Sequence, residues 1–385
     1  MVVLKFGGSS VGTPERVNSV ISISVNSQAK HGSVAVVVSA FSGVTDQLIK
    51  TAKLASNGDT AYSNEFDDLY RRHITALEAL FASGNTDKSA LESTRKEVEA
   101  VLMELRGLLH GIFLIREISK RTMDYVCSFG ERLSAFIIAR TMAARGVRAE
   151  FLDARSVVKT NDDFTAAKVD FPATNAAVQK YFQEHDALQV ITGFIGSTAN
   201  GQTTTLGRGG SDYTAAILGA ALNAKDIEIW TDVDGVMTAD PRKVKNACTL
   251  ERLTYEEAME LSHFGAKVIY PPTIQPALDL GIPLWIKNTF NPEFPGTLID
   301  REGDTTSTLP VKGISSINNI TLLSLEGSGM VGVVGVAHRL FSALARERIN
   351  VIMITQASSE HSICIAVEPG ATEGAARAMK DRKSV

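Results

Sequence analysis

The chain has 385 residues, of which 44% are hydrophobic and 21% charged, a composition typical of a globular protein with two or three domains. Its formal net charge of −4 and the lack of a long basic run argue against nucleic acid as a partner. No apolar stretch reaches the ~20 residues of a membrane-spanning helix, and the first predicted strand begins too early for a cleaved leader. Cys127, Cys248 and Cys364 are far apart, so we expect no disulfide framework, no zinc site and a cytoplasmic location.

The amino-terminal segment is predicted to form a β–α–β unit with a ligand site at the end of its first strand. Val2–Phe6 and residues 33–39 are continuous apolar, β-branched runs, typical of a parallel sheet that is covered on both faces. Between them, Thr13 and Pro14 have the residue types of a helix N-cap and a first helical position. The segment Lys5-Phe6-Gly7-Gly8-Ser9 lies at the edge where open α/β sheets bind ligands.

The middle of the chain alternates predicted helices and strands. Residues 62–145 have a helical period with a break at Gly84-Asn85, and Ser89-Ala90-Leu91-Glu92 has the spacing of a capping box. This alternation predicts a doubly wound, mostly parallel sheet with helices on both faces. One apolar helix face is formed by Val98, Leu102, Leu105, Leu109 and Ile112, and further strands are predicted at Glu150–Leu152, Leu188–Ile191 and Ile227–Trp230.

The last part of the chain is predicted to contain a linker and a small second module. Residues 291–310 hold three prolines and a Thr-Thr-Ser-Thr run, a composition typical of a linker. A β-α-β-β-α order follows, which is one strand short of a ferredoxin-like module. The final Asp-Arg-Lys-Ser-Val is unlike the end of such a module, so we expect the chain to be cut or frameshifted there. The predicted elements are strand Ile320–Leu325, helix Val333–Arg348, hairpin Asn350–Val367 and a helix near Thr372–Met379.

The run Gly327–Gly332 is a G-x-G-x-x-G between a predicted strand and a predicted helix, which is the context of a dinucleotide-binding fingerprint. Two observations count against that interpretation. The strand that would carry the ribose-binding acid ends in Gln356, and too few residues follow Gly332 for the rest of a nucleotide-binding sheet. We therefore expect these glycines to belong to the small module.

Two further clusters join Lys5 as candidate anion sites. In Gly207-Arg208-Gly209-Gly210-Ser211-Asp212, an arginine that suits a carboxylate or phosphate precedes a predicted helix, Tyr213–Leu222, capped by Ser211 or Asp212. Thr231-Asp232-Val233-Asp234-Gly235 follows a predicted strand, and its first two residues are placed to contact a nucleotide. Each cluster alone also fits an ordinary turn or a solvated charge. Together they predict a small-molecule kinase without a Walker loop.

Isolated charged residues have two interpretations each. Glu131 lies in an otherwise apolar helical stretch, where a buried acid needs a partner. That partner is either Arg132 or Arg140, or else the ammonium group of a substrate. Arg242 and Lys267 are candidate phosphate ligands or, alternatively, solvated surface charges.

These motifs resemble, in order and spacing, those of aspartate kinases, over essentially the whole chain. Leu309–Ser315 and Ile354–Glu360 look most like the kinase portion of bifunctional aspartokinase–homoserine dehydrogenases, whose dehydrogenase half is absent here. The resemblance implies an amino-acid-kinase fold at residues 1–298, a linker at 299–312 and a partial ACT regulatory domain at 313–385. The matching segments are Lys5–Val11, Val38–Ala40, Gly130–Arg132, Leu206–Tyr213, Trp230–Val236 and Phe264–Pro271.

The resemblance implies ATP-dependent phosphorylation of the β-carboxylate of L-aspartate to 4-phospho-L-aspartate, the first step of lysine, threonine and methionine biosynthesis. A carboxylate with a pKa of ~3.9 is ionised at pH 7, so the absence of an H-R-D loop is no obstacle. One alternative is another carboxylate kinase of the same fold, and a second is an inert amino-acid sensor. Glu131 and Arg208 favour an α-amino acid over an N-acylated substrate, whereas intact Lys5 and Asp212 argue against a sensor.

Residue roles also follow from the resemblance. Lys5 is implied to stabilise the transferring phosphoryl group, and Asp212 to orient Lys5 or a magnesium-bound water. Arg208 is implied to clamp an aspartate carboxylate and Glu131 to hold its ammonium group. Mg²⁺ is expected on phosphate oxygens and waters rather than on assigned protein ligands. The aspartate pocket also includes Ser39, Thr45, Gly209, Gly210 and Ser211, and the ATP pocket includes Lys5, Gly7, Gly8, Ser9, Thr231, Asp232, Met237, Arg242 and Lys267.

The predicted regulatory module implies an effector and self-association. Threonine, or alternatively lysine, is expected near Met330, Asn350 and Gln356. ACT units come in pairs in the family, whereas this chain has one incomplete unit, so the resemblance does not carry feedback inhibition over to this chain. Exposed strand edges in this module favour a homodimer or a higher homo-oligomer.

Overall fold

The computed structural model describes residues 1–84, 86–263, 270–304, 311–356 and 361–380. The chain divides into two compact units, Met1–Ser315 and Ser316–Val385. Asn85, Lys267 with most of its motif, the Thr-Thr-Ser-Thr run and the final five residues lie outside the described residues.

The first unit contains a large sheet flanked by helices. Its strands are β1 (Val2–Phe6), β2 (Val34–Val38), β3 (Ala149–Leu152), β4 (Lys159–Thr160), β5 (Leu188–Thr192), β6 (Ile195–Thr198), β7 (Thr203–Thr205), β8 (Asp226–Thr231), β9 (Arg252–Thr254), β10 (Leu284–Asn288) and β11 (Thr297–Asp300). Its helices are α1 (Pro14–His31), α2 (Val44–Ser56), α3 (Tyr62–Ala82), α4 (Lys88–Ile115), α5 (Lys120–Ala144), α6 (Phe171–Glu184), α7 (Gly210–Ala221), α8 (Tyr255–His263) and α9 (Pro271–Leu280).

The large sheet has the strand order β3-β5-β2-β1-β8-β10-β11-β9, and its pairs are parallel except for β10 with β11. Side chains of β1 alternate between two cores, as the pleat of a strand requires. Leu4 and Phe6 pack with α1–α5, whereas Val3 packs with α6–α9 on the other face. The predicted doubly wound, mostly parallel sheet is therefore confirmed. A smaller sheet, β4-β6-β7, joins the second face.

The first helix forms where local signals predict it. Thr13 is its N-cap, and the side-chain oxygen accepts a hydrogen bond from the Arg16 N–H at 3.4 Å. Pro14 occupies the first helical position, where its missing N–H costs nothing. The helix ends at Gly32, whose φ of 76° favours glycine.

The predicted helical stretch at 62–145 requires two corrections. It has a second break after Ile115, where Arg116 ends α4 with a φ of 53°, a conformation that its residue type does not announce. The proposed capping box is also wrong, because Ser89 lies inside α4. Asp87 is the N-cap, and its carboxylate accepts a hydrogen bond from the Ser89 N–H at 3.1 Å.

The start of α7 differs from its prediction as well. The helix begins at Gly210, and its N-cap is Gly209 with a φ of 69°, not Ser211 or Asp212. The glycine adopts the left-handed conformation that the turn into the helix requires. Ser211 and Asp212 therefore occupy the first turn, and their side chains are available for contacts with β1 and β2.

The second unit has the predicted β-α-β-β-α order, with β12 (Thr321–Glu326), α10 (Val336–Arg346), β13 (Met353–Gln356), β14 (Ser362–Val367) and α11 (Thr372–Lys380). Its antiparallel sheet has the order β12-β14-β13 and packs one face on the two helices. A three-stranded antiparallel sheet is not a dinucleotide-binding sheet, so the fingerprint interpretation of Gly327–Gly332 is wrong. Short 3₁₀ turns lie at Ala154–Ser156, Ser328–Met330 and Pro369–Ala371.

The stretch that resembles a linker is partly ordered into the main sheet. Thr297–Asp300 is β11, and Thr297 pairs with Ile286 of β10. The side chain of Thr297 also accepts a hydrogen bond from the Val236 N–H at 2.9 Å. Composition alone therefore marks too long a linker at 291–310, because a short strand follows Pro292 and Pro295.

Candidate active site

The candidate site lies at the carboxyl edge of four neighbouring parallel strands, β5, β2, β1 and β8. The register of β1 aligns Phe6 with Val38 on one side and with Trp230 on the other. Because parallel strands end at the same edge, the segments after all four strands meet there. The glycine cluster after β1 therefore lies at this edge, and the cluster before α7 is brought to it by the first turn of α7, which contacts Lys5 and Ser39.

Lys5 and Asp212 form an ion pair at the centre of this edge. Lys5 points to the same face as Val3, towards α7, and its Nζ lies 2.6 Å from Oδ1 of Asp212. The two side chains are only 10% and 15% exposed. A Cβ at Gly7 would lie 3.3 Å from the Lys5 Nζ, so the glycine leaves room for the ammonium group.

Ser39 and Ser211 join the strand edge to the first turn of α7. The Ser39 hydroxyl donates a hydrogen bond to the Ser211 hydroxyl at 2.9 Å, and Ser134 of α5 donates to the Ser39 carbonyl at 2.8 Å. The approach of α7 is close, because a Cβ at Gly193 would lie 2.5 Å from the Ser211 Oγ. These contacts hold the helix N-terminus, with its partial positive charge, over the strand ends.

Glu131 is a buried acid with one free oxygen. Its side chain is 3% exposed, and Oε1 accepts a 3.3 Å hydrogen bond from the Ala40 N–H. Oε2 has no hydrogen-bond partner among the described residues. Loss of solvation on burial raises the pKa of Glu131 to about 8. The alternative of an internal ion pair is wrong, because Arg132 pairs with Glu104 and Arg140 pairs with Glu97.

These groups surround one cavity of about 400 Å³. Ten of the residues assigned by resemblance line it: Lys5, Gly8, Ser39, Thr45, Glu131, Arg208, Gly209, Gly210, Ser211 and Asp212. Arg208 is exposed, and its guanidinium carbon lies 5.7 Å from the Tyr270 ring centroid. The cavity therefore offers Lys5 paired with Asp212, the exposed Arg208, a helix N-terminus and the buried Glu131, with Asp46 at its wall.

Sequence reasoning missed several lining residues. Phe194 lies there with a φ of 68°, and its N–H donates to Thr214 of α7 at 3.0 Å. A single phenylalanine after a strand carries no sequence signal for this role. Asp46 follows Thr45 in the first turn of α2, and it lines the cavity because of where that helix packs, which the sequence does not predict. The other missed residues are Phe41, Ser42 and Gly43, whereas Ala40 and Gly207 belong to segments that the sequence had already singled out.

A buried carboxylate outside the cavity positions the glycine-rich loop. Asp124 of α5 accepts hydrogen bonds from the N–H and the hydroxyl of Thr205, at 3.0 and 2.9 Å, and from the Thr165 N–H at 2.9 Å. Burial raises the pKa of Asp124. Thr205 ends β7, and the loop that carries Arg208 leaves from that strand end.

The residues assigned to ATP are only partly brought together. Thr231 ends β8 beside β1, and its hydroxyl donates to Asp232 at 3.2 Å, but neither lines the cavity. Met237 forms an isolated bridge with Thr249. Arg242 donates twice to Asp240, at 3.0 and 2.9 Å. Two others form hydrogen bonds through their backbone near β1. The Gly7 N–H donates to the Trp230 carbonyl, and the Ser9 carbonyl accepts from the Arg16 guanidinium.

The residues assigned to an effector divide between two cavities of the second unit. Met330 and Gln356 line one of about 320 Å³, next to the glycine-rich turn before α10. Asn350 lines another, of about 400 Å³, which is bordered by Glu347 and Glu368. The structure therefore does not bring all three together.

The described part of the chain shows neither a membrane-spanning helix nor a cluster of metal ligands. None of its helices is long and apolar enough to cross a membrane. No three of its His, Cys, Asp and Glu side chains are grouped as metal ligands. The three cysteines are free thiols.

A lysine, bare glycine loops and a helix N-terminus lie together at the strand ends of an open parallel sheet, an arrangement that suits an anionic ligand such as a phosphate. The sequence profile of the amino acid kinase family matches residues 1–288, and that of an ACT domain matches residues 323–382.

Relatives and solved structures agree with this class. The bifunctional aspartokinase/homoserine dehydrogenase 2 of Arabidopsis thaliana is 37% identical and aligns with 99% of this chain and 42% of its own. The corresponding enzyme of Haemophilus influenzae is 37% identical, over 95% of this chain and 44% of its own. The chain thus spans about two-fifths of the length of these relatives.

The structure of E. coli aspartokinase III with lysine and aspartate has a TM-score of 0.80 and 32% identity, over 99% of this chain and 83% of that one. The same enzyme with aspartate and ADP has a TM-score of 0.74 and 26% identity, over 99% of both chains. The chain therefore belongs to the amino acid kinase family and, within it, to the aspartokinases. The resemblance stated from the sequence is confirmed.

Proposed function

We propose that the chain is an aspartate kinase, which transfers the γ-phosphoryl group of ATP to the β-carboxylate of L-aspartate. The observation that carries this proposal is the single cavity bordered by Lys5, Arg208 and buried Glu131. Its charges complement an α-amino dicarboxylic acid beside a phosphate, with cations for the anions and an acid for the ammonium group. Aspartate and ADP occur together in a structure of E. coli aspartokinase III, which supports the same pair of ligands here.

In the proposed reaction, an oxygen of the β-carboxylate attacks the γ-phosphorus, and the bond to the β,γ-bridging oxygen breaks as ADP leaves. The carboxylate is already ionised at pH 7, so no general base is required. Lys5 neutralises charge on the phosphoryl oxygens, and Asp212 keeps the ammonium group of the Lys5 side chain in place. The product is 4-phospho-L-aspartate, and the enzyme belongs to the phosphotransferases with a carboxyl acceptor.

Substrate orientation falls to the remaining charged residues. Arg208 clamps the α-carboxylate from an exposed loop, where its fork reaches two oxygens. Glu131 accepts the ammonium group with the oxygen that has no partner among the described residues. Ser39, Thr45, Gly209, Gly210 and Ser211 complete the aspartate pocket in this proposal.

The proposed nucleotide site follows the strand edge from β1 to β8. Mg²⁺ bound to the ATP phosphates would screen their charge, with Asp212 as the carboxylate that orients a metal-bound water. Arg242 would share its guanidinium between Asp240 and phosphate. The nucleotide residues of this proposal are Lys5, Gly7, Gly8, Ser9, Thr231, Asp232, Met237, Arg242 and Lys267.

We further propose a catalytic domain at residues 1–298, a linker at 299–312, of which the first two residues still belong to β11, and a partial ACT regulatory domain at 313–385. Threonine, or lysine as in the E. coli structure, is the proposed effector, and Met330 with Gln356 is the favoured place because they share a cavity. A cytoplasmic location fits the three free thiols, although the plant relatives carry chloroplastic names.

A coupled ADP-release assay with L-aspartate, L-glutamate and N-acetylglutamate as acceptors, with hydroxylamine to trap acyl phosphate, tests the activity. We expect L-aspartate to give both ADP and a hydroxamate. Preference for the N-acylated acid would support another carboxylate kinase of this fold. No acceptor-dependent ADP release with any of the three would favour the inert amino-acid sensor.

A further inference from the structure

A second cavity, of about 410 Å³, shares Phe41 with the substrate cavity and lies between the loop before α1 and the helix α3. Its wall is largely apolar, with Val11, Pro14, Val17, Phe41, Ala76 and Leu80 among the lining residues. None of the nucleotide or aspartate assignments above uses this space. Its volume is close to that of the substrate cavity, so it accommodates a molecule of similar size.

One positive charge in this cavity is not compensated. Arg72 is half-buried and donates one hydrogen bond, to the Ser42 carbonyl at 2.5 Å. Among the described residues, no carboxylate pairs with it, and loss of solvation lowers its pKa. The other charged lining residues, Asp68 and Arg71, form an ion pair with each other. A guanidinium has five N–H donors, so most of those on Arg72 stay available to a ligand.

We propose that this cavity binds a small apolar carboxylate, whose acid group pairs with Arg72 and whose hydrocarbon body fills the apolar wall. Partly buried cations without an acidic partner are costly, and an incoming carboxylate removes that cost. An uncharged apolar molecule fits the wall but gains nothing from Arg72. A small polar anion gains the ion pair but leaves the apolar wall unfilled.

The same cavity is connected to the substrate cavity through residues 41–43. Phe41 lines both cavities, and its ring stacks on buried His73 with 5.5 Å between centroids. A bound carboxylate pairs with the free N–H groups of the same guanidinium that holds the Ser42 carbonyl, and this shifts the backbone that leads into α2. Because Thr45 lies in the first turn of that helix, occupancy of the second cavity changes the affinity of the first.

The probe for this site is octanoate, titrated calorimetrically into the full chain without nucleotide. We expect saturable binding of one octanoate per chain. Arg72→Met weakens it at least tenfold, Arg72→Lys restores most of the affinity, and Ala76→Trp, which fills the cavity, abolishes it. Octan-1-ol binds the wild type and Arg72→Met equally. Arg95→Met, which alters an exposed arginine of α4, leaves octanoate binding unchanged.

Octanoate binding that is absent, or that is unchanged by both Arg72→Met and Ala76→Trp, overturns the proposal. The connection between the cavities rests on the proposed function, because it takes aspartate as the ligand of the substrate cavity. Aspartate is therefore titrated first, and we expect saturating aspartate to change the octanoate affinity at least threefold. An unchanged affinity refutes the connection alone, and failure of aspartate to bind counts against the proposed function, while octanoate binding by itself tests the site.

Discussion

Three neighbouring features of the fold position the ammonium group of Lys5 in the cavity. Alternation along β1 points it to the α7 face, glycine at position 7 leaves room for its ammonium group, and Asp212 holds it at 2.6 Å. An ion pair this poorly exposed would be costly as a purely structural element. Its location beside a helix N-terminus supports a role in binding phosphate.

Replacement of Lys5 by alanine should remove this charge from the cavity. We expect a loss of about 2–4 kcal/mol of transition-state stabilisation, seen as a fall in kcat of about thirty- to a thousandfold. Steady-state kinetics at saturating ATP and aspartate measure it. Lys225→Ala, on an exposed lysine before β8, is the matched control and should keep wild-type turnover. Near wild-type kcat in Lys5→Ala would refute the assigned role.

Glu131 makes aspartate binding depend on pH. Its pKa is about 8 in the empty cavity, so it is mostly protonated at neutral pH, whereas an ammonium partner requires the carboxylate. The KM for aspartate should therefore fall as pH rises from about 6.5 to 8, by up to about tenfold per unit. The KM for ATP should stay flat over this range. Glu131→Gln should raise the KM for aspartate and remove its pH dependence, and a dependence that persists would contradict this role.

The same group affects folding in the opposite direction. A glutamate whose pKa is raised in the folded state contributes most to the free energy of unfolding at pH values below 4.5, the usual pKa of glutamate. This contribution is lost as the pH rises towards 8. Glu131→Gln avoids burial of a charge, so the variant should be the more stable protein above pH 8. Above pH 8, Glu131 thus lowers the stability of the fold and raises the affinity for aspartate, a trade-off that is common at binding sites.

Among the helices, α4 shows where pattern and structure agree. The five apolar residues spaced on one predicted face are all buried against α2, α3 and α5. Leu105→Ala should lower the free energy of unfolding by about 2–5 kcal/mol, because it leaves a cavity in that core. Met103→Ala, two residues away and 43% exposed, is the control and should change it by less than about 0.5 kcal/mol. Urea unfolding of both variants measures the difference, and equal effects would contradict this packing.

Helix boundaries were predictable only where the signal was local. Thr13 and Pro14 fix the start of α1 by themselves. At α4 and α7, by contrast, the caps are Asp87 and Gly209, which lie two or three residues before the residues that the sequence pattern favoured. The end of α4 at Arg116 has neither glycine nor proline to announce it.

Across the whole molecule, the sequence predicted which segments carry the site but not how they meet. Lys5, Arg208 and Asp212 were recognised because each lies in or within two residues of a run of glycines at the end of a strand or the start of a helix. Phe194 was not predicted to line the cavity, because its position depends on β5 lying next to β2. Strand order is a property of the folded sheet. The second cavity escaped for the same reason, as it joins α3 to a loop some sixty residues earlier.

Self-association is the prediction for the second unit. The sheet face away from its helices carries Leu322 and Met353, which are 57% and 40% exposed, and β12 and β13 are edge strands. We expect the chain to sediment as a homodimer or larger, and a double Leu322→Lys, Met353→Lys variant to shift towards monomer. A wild-type chain that stays monomeric at high concentration would contradict this prediction.

The central claim is that the β-carboxylate of aspartate is itself the nucleophile, and isotope transfer tests it most directly. The chain is incubated with ATP and L-aspartate labelled with ¹⁸O in both β-carboxylate oxygens, and the acyl phosphate is trapped with hydroxylamine. Hydroxylamine attacks the carbonyl carbon, so the bridging oxygen leaves with phosphate. We predict one ¹⁸O in each phosphate released and an equal amount of aspartyl hydroxamate. Unlabelled phosphate would show that water, not the carboxylate, attacked ATP, and would contradict the account.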